Sequence, residues 1–400
     1  MKIGVYGGTF DPPHLGHMAA ARAAQLAGLD RLVLIPDGQP PHKDLSAASA
    51  APEQRLEMTR IMADRLHLDI PVEVSDLEVR RAGKSYTSDT LTALHRQHPK
   101  DELWLLMGTD MFLTLQYWHD PETITRLAGI CAFGRTEGDG EDLFAPQRDY
   151  LARRFGARVV TVTLPGLVEI SSTALRALLA RGGGREYLDE SIWGYILREG
   201  LYGTKADLKH LSLEELRAVS ASMVKSKRIP HIRGTEETAA HLARRWGADE
   251  NAARQAAILH DCTKYYTLPQ QLTTCAKYGI LLDDIERKTL PLLHAKSGAA
   301  LARYVFGMPE AVSEAIRWHT TGKADMTLLE KILYIADYAE PTRKYSWAAE
   351  LRELIETDLD AAVLRGLEIT IEHTGREGGP IHYRTLEARD WLLAERGERR

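Results

Sequence analysis

Residues 2–17, KIGVYGGTFDPPHLGH, leave the chain few ways to fold. Residues 2–6 read as a buried strand, Gly7-Gly8 breaks it, Asp11-Pro12-Pro13 turns the backbone, and a helix begins near Leu15 with His14 and His17 about one turn apart. Such a stretch outlines a phosphate site. Glycines permit close approach of the backbone to a ligand, and a helix start presents unpaired amides with a dipole that favours an anion. The two imidazoles add donors where phosphate charge develops. Taken alone, a Gly-Gly turn with two histidines is an ordinary strand-to-helix connection, so the rest of the chain has to decide its meaning.

Further apolar runs follow at residues 31–37, 71–76, 102–108, 129–135 and 158–164, most of them separated by helix-like segments. Near-continuous apolar strands alternating with helices predict an α/β doubly wound parallel sheet covered on both faces. Ligands in such sheets sit at the carboxyl ends of the strands, where Gly7, Asp37, Gly108 and Arg135 fall. The string Ile170-Ser171-Ser172-Thr173-Ala174-Leu175-Arg176 opens a helix with hydroxyls and places Arg176 one turn beyond Ser172. A plain N-cap explains any one of these serines. An arginine on the same face, together with the first motif, favours a triphosphate clamp.

The first motif and the ISSTALR string, in this order, resemble the nucleotidyltransferase superfamily. Over residues 1–203 the resemblance is to bacterial nicotinate-nucleotide adenylyltransferase, carried by Pro41-His42-Lys43, Ser85-Tyr86-Thr87-Ser88-Asp89-Thr90, Gly108-Thr109-Asp110 with Trp118 downstream, and Phe133-Gly134-Arg135. It implies a Rossmann-like domain that transfers AMP from ATP to nicotinate mononucleotide, with Mg2+ accompanying ATP. Gly7, Gly8, Thr9, Phe10, Arg135, Ser171, Ser172, Thr173 and Arg176 are then expected at ATP and its phosphates, and His14 and His17 as catalytic donors. Lys43 is expected at the substrate phosphate, Thr87 and Trp118 at the pyridine ring, and Asp110 at a ribose or a magnesium-bound group. An indole face suits a flat, electron-poor ring, although Trp118 is as readily a core tryptophan.

A helix-like segment ends at Gly200, and Ser212 with Glu215 forms the S-x-x-E capping pattern, which places a short linker over residues 204–211. From residue 212 to 400 sheet signals largely vanish and helical periods take over, predicting an all-α domain. Histidines and aspartates recur in it as His231, His260-Asp261, His294, His319 and Asp337. His210, His241 and His373 read as ordinary surface or core residues. An adjacent His-Asp expected inside an apolar helix, AAILHDCTKYY, is harder to dismiss, because a buried aspartate is costly without a cation or donors. Imidazoles with carboxylates suit iron, manganese, zinc or nickel.

That order resembles the six-ligand, two-metal branch of the HD phosphohydrolases, and the strings HDCTK, RWHTTGKADMTLLEKILYIADYAEPTR and PIHYRTLEARDWLL resemble the symmetrical diadenosine tetraphosphate hydrolases of the HD type. The resemblance implies that His231, His260, Asp261 and Asp337 hold one metal and that His294 and His319 complete a second site, with iron first in order and manganese or zinc next. Lys264, at i+3 from Asp261, is expected to meet a phosphate and joins the catalytic candidates; Arg343 is a further phosphate candidate.

Composition bounds the partners. A formal charge of −5 gives no electrostatic reason to expect a nucleic-acid backbone, and no run approaches the roughly 20 apolar residues of a membrane span. A cytoplasmic enzyme of small nucleotides is expected, with a homo-oligomer left open. Three cysteines without C-x-x-C spacing read as packing residues. Two alternatives stay open: the same folds acting on nicotinamide mononucleotide or phosphopantetheine and on another nucleotide, or a non-catalytic, nucleotide-sensing second domain.

Overall fold

A computed structural model describes residues 1–39, 48–136, 138–166 and 168–397. The chain forms two compact units, Met1–Lys205 and Ala206–Arg400.

The first unit is built on β1 (Lys2–Gly8), β2 (Arg31–Pro36), β3 (Val72–Val74), β4 (Glu102–Gly108), β5 (Ala128–Phe133) and β6 (Val159–Val162). All pairs are parallel, in the order β3-β2-β1-β4-β5-β6. Side chains alternate between faces with period two, so Ile3, Val5, Leu103 and Leu105 enter one core while Tyr6, Leu32, Leu34 and Leu106 enter the other. Each face is closed by helices. Met58 and Met62 of the helix Pro52–Arg65 and Ile192 and Ile196 of the helix Glu190–Glu199 pack on one side. Leu91 and Leu94 of Thr87–Gln97 and Leu151 of Glu141–Phe155 pack on the other. The strand order reverses between β1 and β4, so the crevice for a ligand lies beyond Gly8 and Gly108. The expected doubly wound sheet is thus present, with β3 shortened to three residues.

The second unit contains only helices among its described residues. Ser212 and Glu215 cap its first helix reciprocally: the Ser212 amide donates to Glu215 Oε2 at 2.8 Å and the Glu215 amide donates to Ser212 Oγ at 3.2 Å. Two helix limits differ from the sequence periods. The helix carrying His231 begins at Ile229, ahead of the periodic stretch from Thr235, because Pro230 is tolerated in a first turn. The helix Glu250–Leu259 stops before His260, so His260-Asp261 lies in the turn that follows and not inside a helix. Cys131, Cys262 and Cys275 are all buried and none is in a disulfide. No helix among the described residues is long and apolar enough to cross a membrane.

At Gly129 the sheet packs closely against an aromatic ring: a Cβ there would stand 2.6 Å from Trp104. Gly129→Ala is therefore expected to cost the first unit about 1–3 kcal/mol through overpacking. Denaturant unfolding measures it; an unchanged midpoint would contradict this packing.

Candidate functional site

In the first unit the chain leaves β1 through Gly7-Gly8-Thr9 and reaches the helix Leu15–Ala21, for which His14 is the N-cap. The His14 amide donates to His17 Nδ1 at 3.2 Å, so the proton of a neutral His17 sits on Nε2 and that nitrogen becomes a donor. The two rings lie 3.8 Å apart. Burial first, then Arg135, pushes the His14 pKa down to about 4, while burial, His14 and Arg135 hold His17 well below the usual imidazole range. Both are neutral donors at pH 7, and neither ring nitrogen of the buried His14 has a protein partner. Gly16 makes this close pairing possible, since a Cβ there would fall 3.0 Å from the His14 ring.

Across a cleft of about 600 Å³ from these histidines stand Thr109, Asp110 and Arg135. Arg135 pairs with Asp110 at 2.9 Å, and its stem crosses Gly108, where a Cβ would fall 2.5 Å from Arg135 Cδ. Asp139, a residue sequence reasoning missed, organises this wall. It accepts from the Thr109 hydroxyl at 2.5 Å, from the Arg135 amide at 2.6 Å, and from the Thr136 amide at 3.0 Å. Burial works to raise its pKa, but these donors hold it below the ordinary carboxylate range. Ser171 also lines the cleft, and its hydroxyl accepts from the Ala174 amide at 3.1 Å as a helix N-cap.

Three residues expected at ATP and its phosphates, Arg176, Ser172 and Phe10, make other contacts. Arg176 turns inward: its Nη1 donates to the Asp11 carbonyl at 2.7 Å and lies 3.2 Å from Asp11 Oδ2, while Nη2 donates to Thr173 Oγ1 at 3.3 Å. Asp11 is fully buried and needs that cation, so Arg176 braces the β1–helix turn from behind, joined by a Ser172 hydroxyl donated to the Pro12 carbonyl at 3.3 Å. Phe10 is also fully buried, and its ring packs edge-on against His17 with centroids 5.1 Å apart. Its side chain is core, because an apolar ring under the imidazole excludes water.

Other residues that sequence reasoning missed hold the site from outside. Arg55, at 0% exposure, donates to the Thr9 carbonyl at 3.0 Å, to Asp37 Oδ1 at 2.7 Å and to the Gly38 carbonyl at 2.9 Å; Thr9 Oγ1 in turn donates to Asp37 Oδ2 at 2.9 Å. Tyr202 donates its hydroxyl to Asp11 Oδ1 at 2.8 Å, beside the Ala50 amide at 3.0 Å. Thr87 starts the helix Thr87–Gln97, and Trp118 is partly buried against the adjoining core. Their neighbours meet, with the Tyr86 and His119 rings 4.2 Å apart, so the two stretches expected at a pyridine ring converge. Lys43 lies outside the described residues.

In the second unit, His231, His260 and Asp261 form one buried group with potential ligand atoms within 4.8 Å of one another, and Asp261, His294 and His319 form another. Asp337 Oδ1 joins the first group, 3.1 Å from His231 Nε2. All six expected residues therefore converge, with Asp261 common to both groups. The donor chemistry fits divalent cations. His260 Nδ1 donates to the Ala257 carbonyl at 2.6 Å and His319 Nδ1 to the Ile316 carbonyl at 2.7 Å, which leaves their Nε2 lone pairs pointing inward. There they face other imidazole nitrogens, His231 Nε2 at 3.3 Å and His294 Nε2 at 3.1 Å. Asp261 is fully buried, with Oδ1 3.0 Å from His294 Nε2 inside the cage. Burial pushes the pKa values of His260, His294 and His319 down to about 4, while histidines and cationic neighbours, working against burial, hold Asp261 and Asp337 well below the carboxylate range. Three neutral imidazoles with ionised carboxylates suit metal binding, whereas at His231 burial is outweighed by hydrogen bonds to Asp337 and Glu340, which raise the pKa.

Cationic side chains ring this cage. Lys264 Nζ lies 3.7 Å from Asp261 Oδ1, and it reaches there through a turn and not along the helix face expected from spacing. Arg343 Nη2 lies 2.6 Å from Asp337 Oδ1, and Arg228, missed in the sequence, pairs with Asp261. A third group, Asp283, Glu286 and His382, is satisfied without a metal. His382 Nδ1 accepts from the Arg384 amide at 3.2 Å, its Nε2 donates to Asp283 at 2.9 Å, and Lys296 supplies the cation for Glu286 at 3.1 Å. His210, His241 and His373 are exposed.

A Cytidylyltransferase-like family model matches residues 5–178, and the HD domain model matches residues 228–342. The chain is 37% identical over 216 residues to the probable nicotinate-nucleotide adenylyltransferase of Trichlorobacter lovleyi, covering 50% of this chain and 99% of that protein. It is 39% identical over 206 residues to its counterpart in Exiguobacterium sibiricum, covering 51% of this chain and 100% of that protein. Among solved structures, one from Clostridium acetobutylicum, described as a predicted HD superfamily hydrolase involved in NAD metabolism, is 36% identical, covering 46% of this chain and 98% of that one at a TM-score of 0.45.

The Tyr202–Asp11 hydrogen bond yields a direct test. Tyr202→Phe removes one donor from a buried carboxylate and is expected to destabilise the first unit by about 1–3 kcal/mol. Denaturant titration reads the change, and a loss below the error of the titration would remove Tyr202 from the support of this site.

Proposed function

Because the chain belongs, through its first half, to the nicotinate-nucleotide adenylyltransferase family and carries an HD domain in its second, we propose a bifunctional enzyme of bridged adenine nucleotides. The first unit transfers AMP from ATP to nicotinate mononucleotide, giving nicotinic acid adenine dinucleotide and pyrophosphate. The second hydrolyses diadenosine tetraphosphate symmetrically to two ADP.

The adenylyl transfer needs no nucleophile from the protein. The mononucleotide phosphate is already an anion; its oxygen attacks the α-phosphorus of ATP, a bond forms there, and the bond to the pyrophosphate oxygen breaks. The protein then contributes positioning and charge stabilisation. The observation that carries this reading is the neutral His14–His17 pair facing Arg135 across the cleft, with His17 Nε2 as a donor. Neutral imidazoles donate to the phosphates as charge builds, the cation comes from Arg135, and Ser171 adds a hydroxyl at the cleft edge. Gly7, Gly8, Thr9 and Thr173 supply backbone and hydroxyl groups around the phosphates, and Mg2+ arrives with ATP. The pyridine ring is assigned to the Thr87 and Trp118 stretches, the mononucleotide phosphate to Lys43, and a ribose to Asp110. In this reading Arg176 acts through Asp11 to keep the turn in place.

For the second unit, the carrying observation is the pair of His/Asp groups sharing Asp261. His231, His260, Asp261 and Asp337 would hold one divalent metal and His294 and His319 a second, iron first in order, with manganese or zinc as alternatives. Metals bound there supply a water of lowered pKa and neutralise phosphate charge. Lys264, Arg228 and Arg343 are cations beside the cage and are assigned to the tetraphosphate chain.

His17→Ala is expected to cost about 3 kcal/mol of transition-state stabilisation, or roughly 100-fold in kcat/KM for pyrophosphate release. Undiminished release would refute the donor assignment. Asp261→Ala is expected to abolish both divalent metal content and production of ADP from diadenosine tetraphosphate while adenylyl transfer continues. Full hydrolysis by that variant would remove the cage from the mechanism.

A further inference from the structure

We propose that Glu340 is a positioning residue that fixes the imidazole of His231 for metal binding, and that Gly234 exists to leave room for it; this rests on reading the second unit as metal-dependent. His231 lies in the first turn of the helix Ile229–Trp246 and is 5% exposed. Its Nε2 faces the cage. Its Nδ1 lies 2.9 Å from Glu340 Oε1, a partner 109 residues away. An ionised carboxylate only accepts hydrogen bonds, so the proton shared with Glu340 sits on Nδ1 and the Nε2 lone pair is directed at the metal. The other imidazoles are held differently. His260 and His319 use backbone carbonyls three residues back, and His294 Nδ1 has no partner. Of the four, His231 is the one oriented by a carboxylate.

Glu340 cannot drift from this position. It is at 0% exposure and caps the helix Leu328–Ala339, so the helix end that supplies Asp337 supplies Glu340 three residues later. Its Oε2 accepts from the Thr342 amide at 2.6 Å, and its Oε1 accepts from the Thr342 hydroxyl at 2.5 Å. Gly234 sits one turn after His231. A Cβ at that position would fall 2.5 Å from Glu340 Oε2 and 3.4 Å from Pro341 Cδ. Carboxylate tips usually yield to such a contact, but this one is clamped by Thr342 and enclosed by protein. A methyl group at residue 234 must therefore displace Glu340, and with it the hydrogen bond to His231. The glycine three residues after the first histidine thus has a geometric cause that involves no ligand.

The test uses the full chain, stripped with chelator and titrated separately with Mn2+, Fe2+ and Zn2+, with Mn2+ affinity compared across the variants. Wild type is expected to bind Mn2+, with Glu340→Ala and Gly234→Ala each ~10- to 100-fold weaker, the usual penalty for losing the partner of a ligating histidine. Glu340→Gln keeps an acceptor oxygen and should fall between wild type and Glu340→Ala. Because both substitutions act through one hydrogen bond, the double variant Gly234→Ala/Glu340→Ala should bind no more weakly than Glu340→Ala. Helical circular dichroism of the stripped proteins should match wild type. Equal Mn2+ affinity in wild type and Glu340→Ala overturns the positioning role and leaves the metal reading intact. A double variant weaker than both singles overturns the link between Gly234 and Glu340. Wild type that binds no Mn2+, Fe2+ or Zn2+ overturns the metal reading, and this inference with it.

Discussion

A carboxylate removed from water has to be given donors or a cation, and each half of this chain is assembled around one such group. In the first unit, Asp11 gathers the Ala50 amide, the Tyr202 hydroxyl and the Arg176 guanidinium, which come from segments far apart in sequence. Satisfying that one side chain fixes the turn after β1 and hence the position of His14 and His17. In the second, Asp261 is fully buried and is met by His294 at 3.0 Å, Lys264 at 3.7 Å and Arg228, so the same need ties its own turn to the helix Leu290–Tyr304 and to the short 3-10 turn Ser226–Arg228.

The two units use neutral histidine in opposite senses, and local backbone chemistry decides which. At His17 a main-chain amide donates to Nδ1, the proton moves to Nε2, and the ring can give a hydrogen bond to an anion. His260 and His319 instead donate from Nδ1 to carbonyl oxygens, and Nε2 is left as an electron-pair donor suited to a cation. Burial keeps all of these rings uncharged at pH 7. One residue type therefore serves phosphate in one pocket and metal in another without any difference in ionisation.

Much of this was legible in the sequence, because the signals were local. Apolar runs punctuated by glycine and proline marked the parallel sheet, the Ser212–Glu215 pair marked a helix start, and the His-Asp dipeptide stood out as costly to bury. The six residues of the cage were named through the resemblance of their order to the HD phosphohydrolases, although periodicity carried the helix past His260, where the chain turns. What could not be read was the set of supports joined across long separations. Arg55 looks like a surface arginine on an amphipathic helix, yet it is fully enclosed by carbonyls and a carboxylate from residues 9 to 50. Asp139 lies in a glycine-rich, acidic loop that resembles solvated surface. Arg176 was read as facing outward to phosphate, since nothing nearby in sequence reveals that Asp11 is buried and lacks a counter-charge.

Tyr202 carries a consequence for anyone dividing this gene product. The Cytidylyltransferase-like match ends at residue 178, but the phenol that completes the coordination of Asp11 arrives 24 residues later, from a short turn in which Tyr202 has a backbone φ of +57°. Expression boundaries drawn from the family match would discard it together with the helix Glu190–Glu199 and expose the apolar face of Pro52–Arg65. An autonomous amino-terminal fragment has to extend through Gly203.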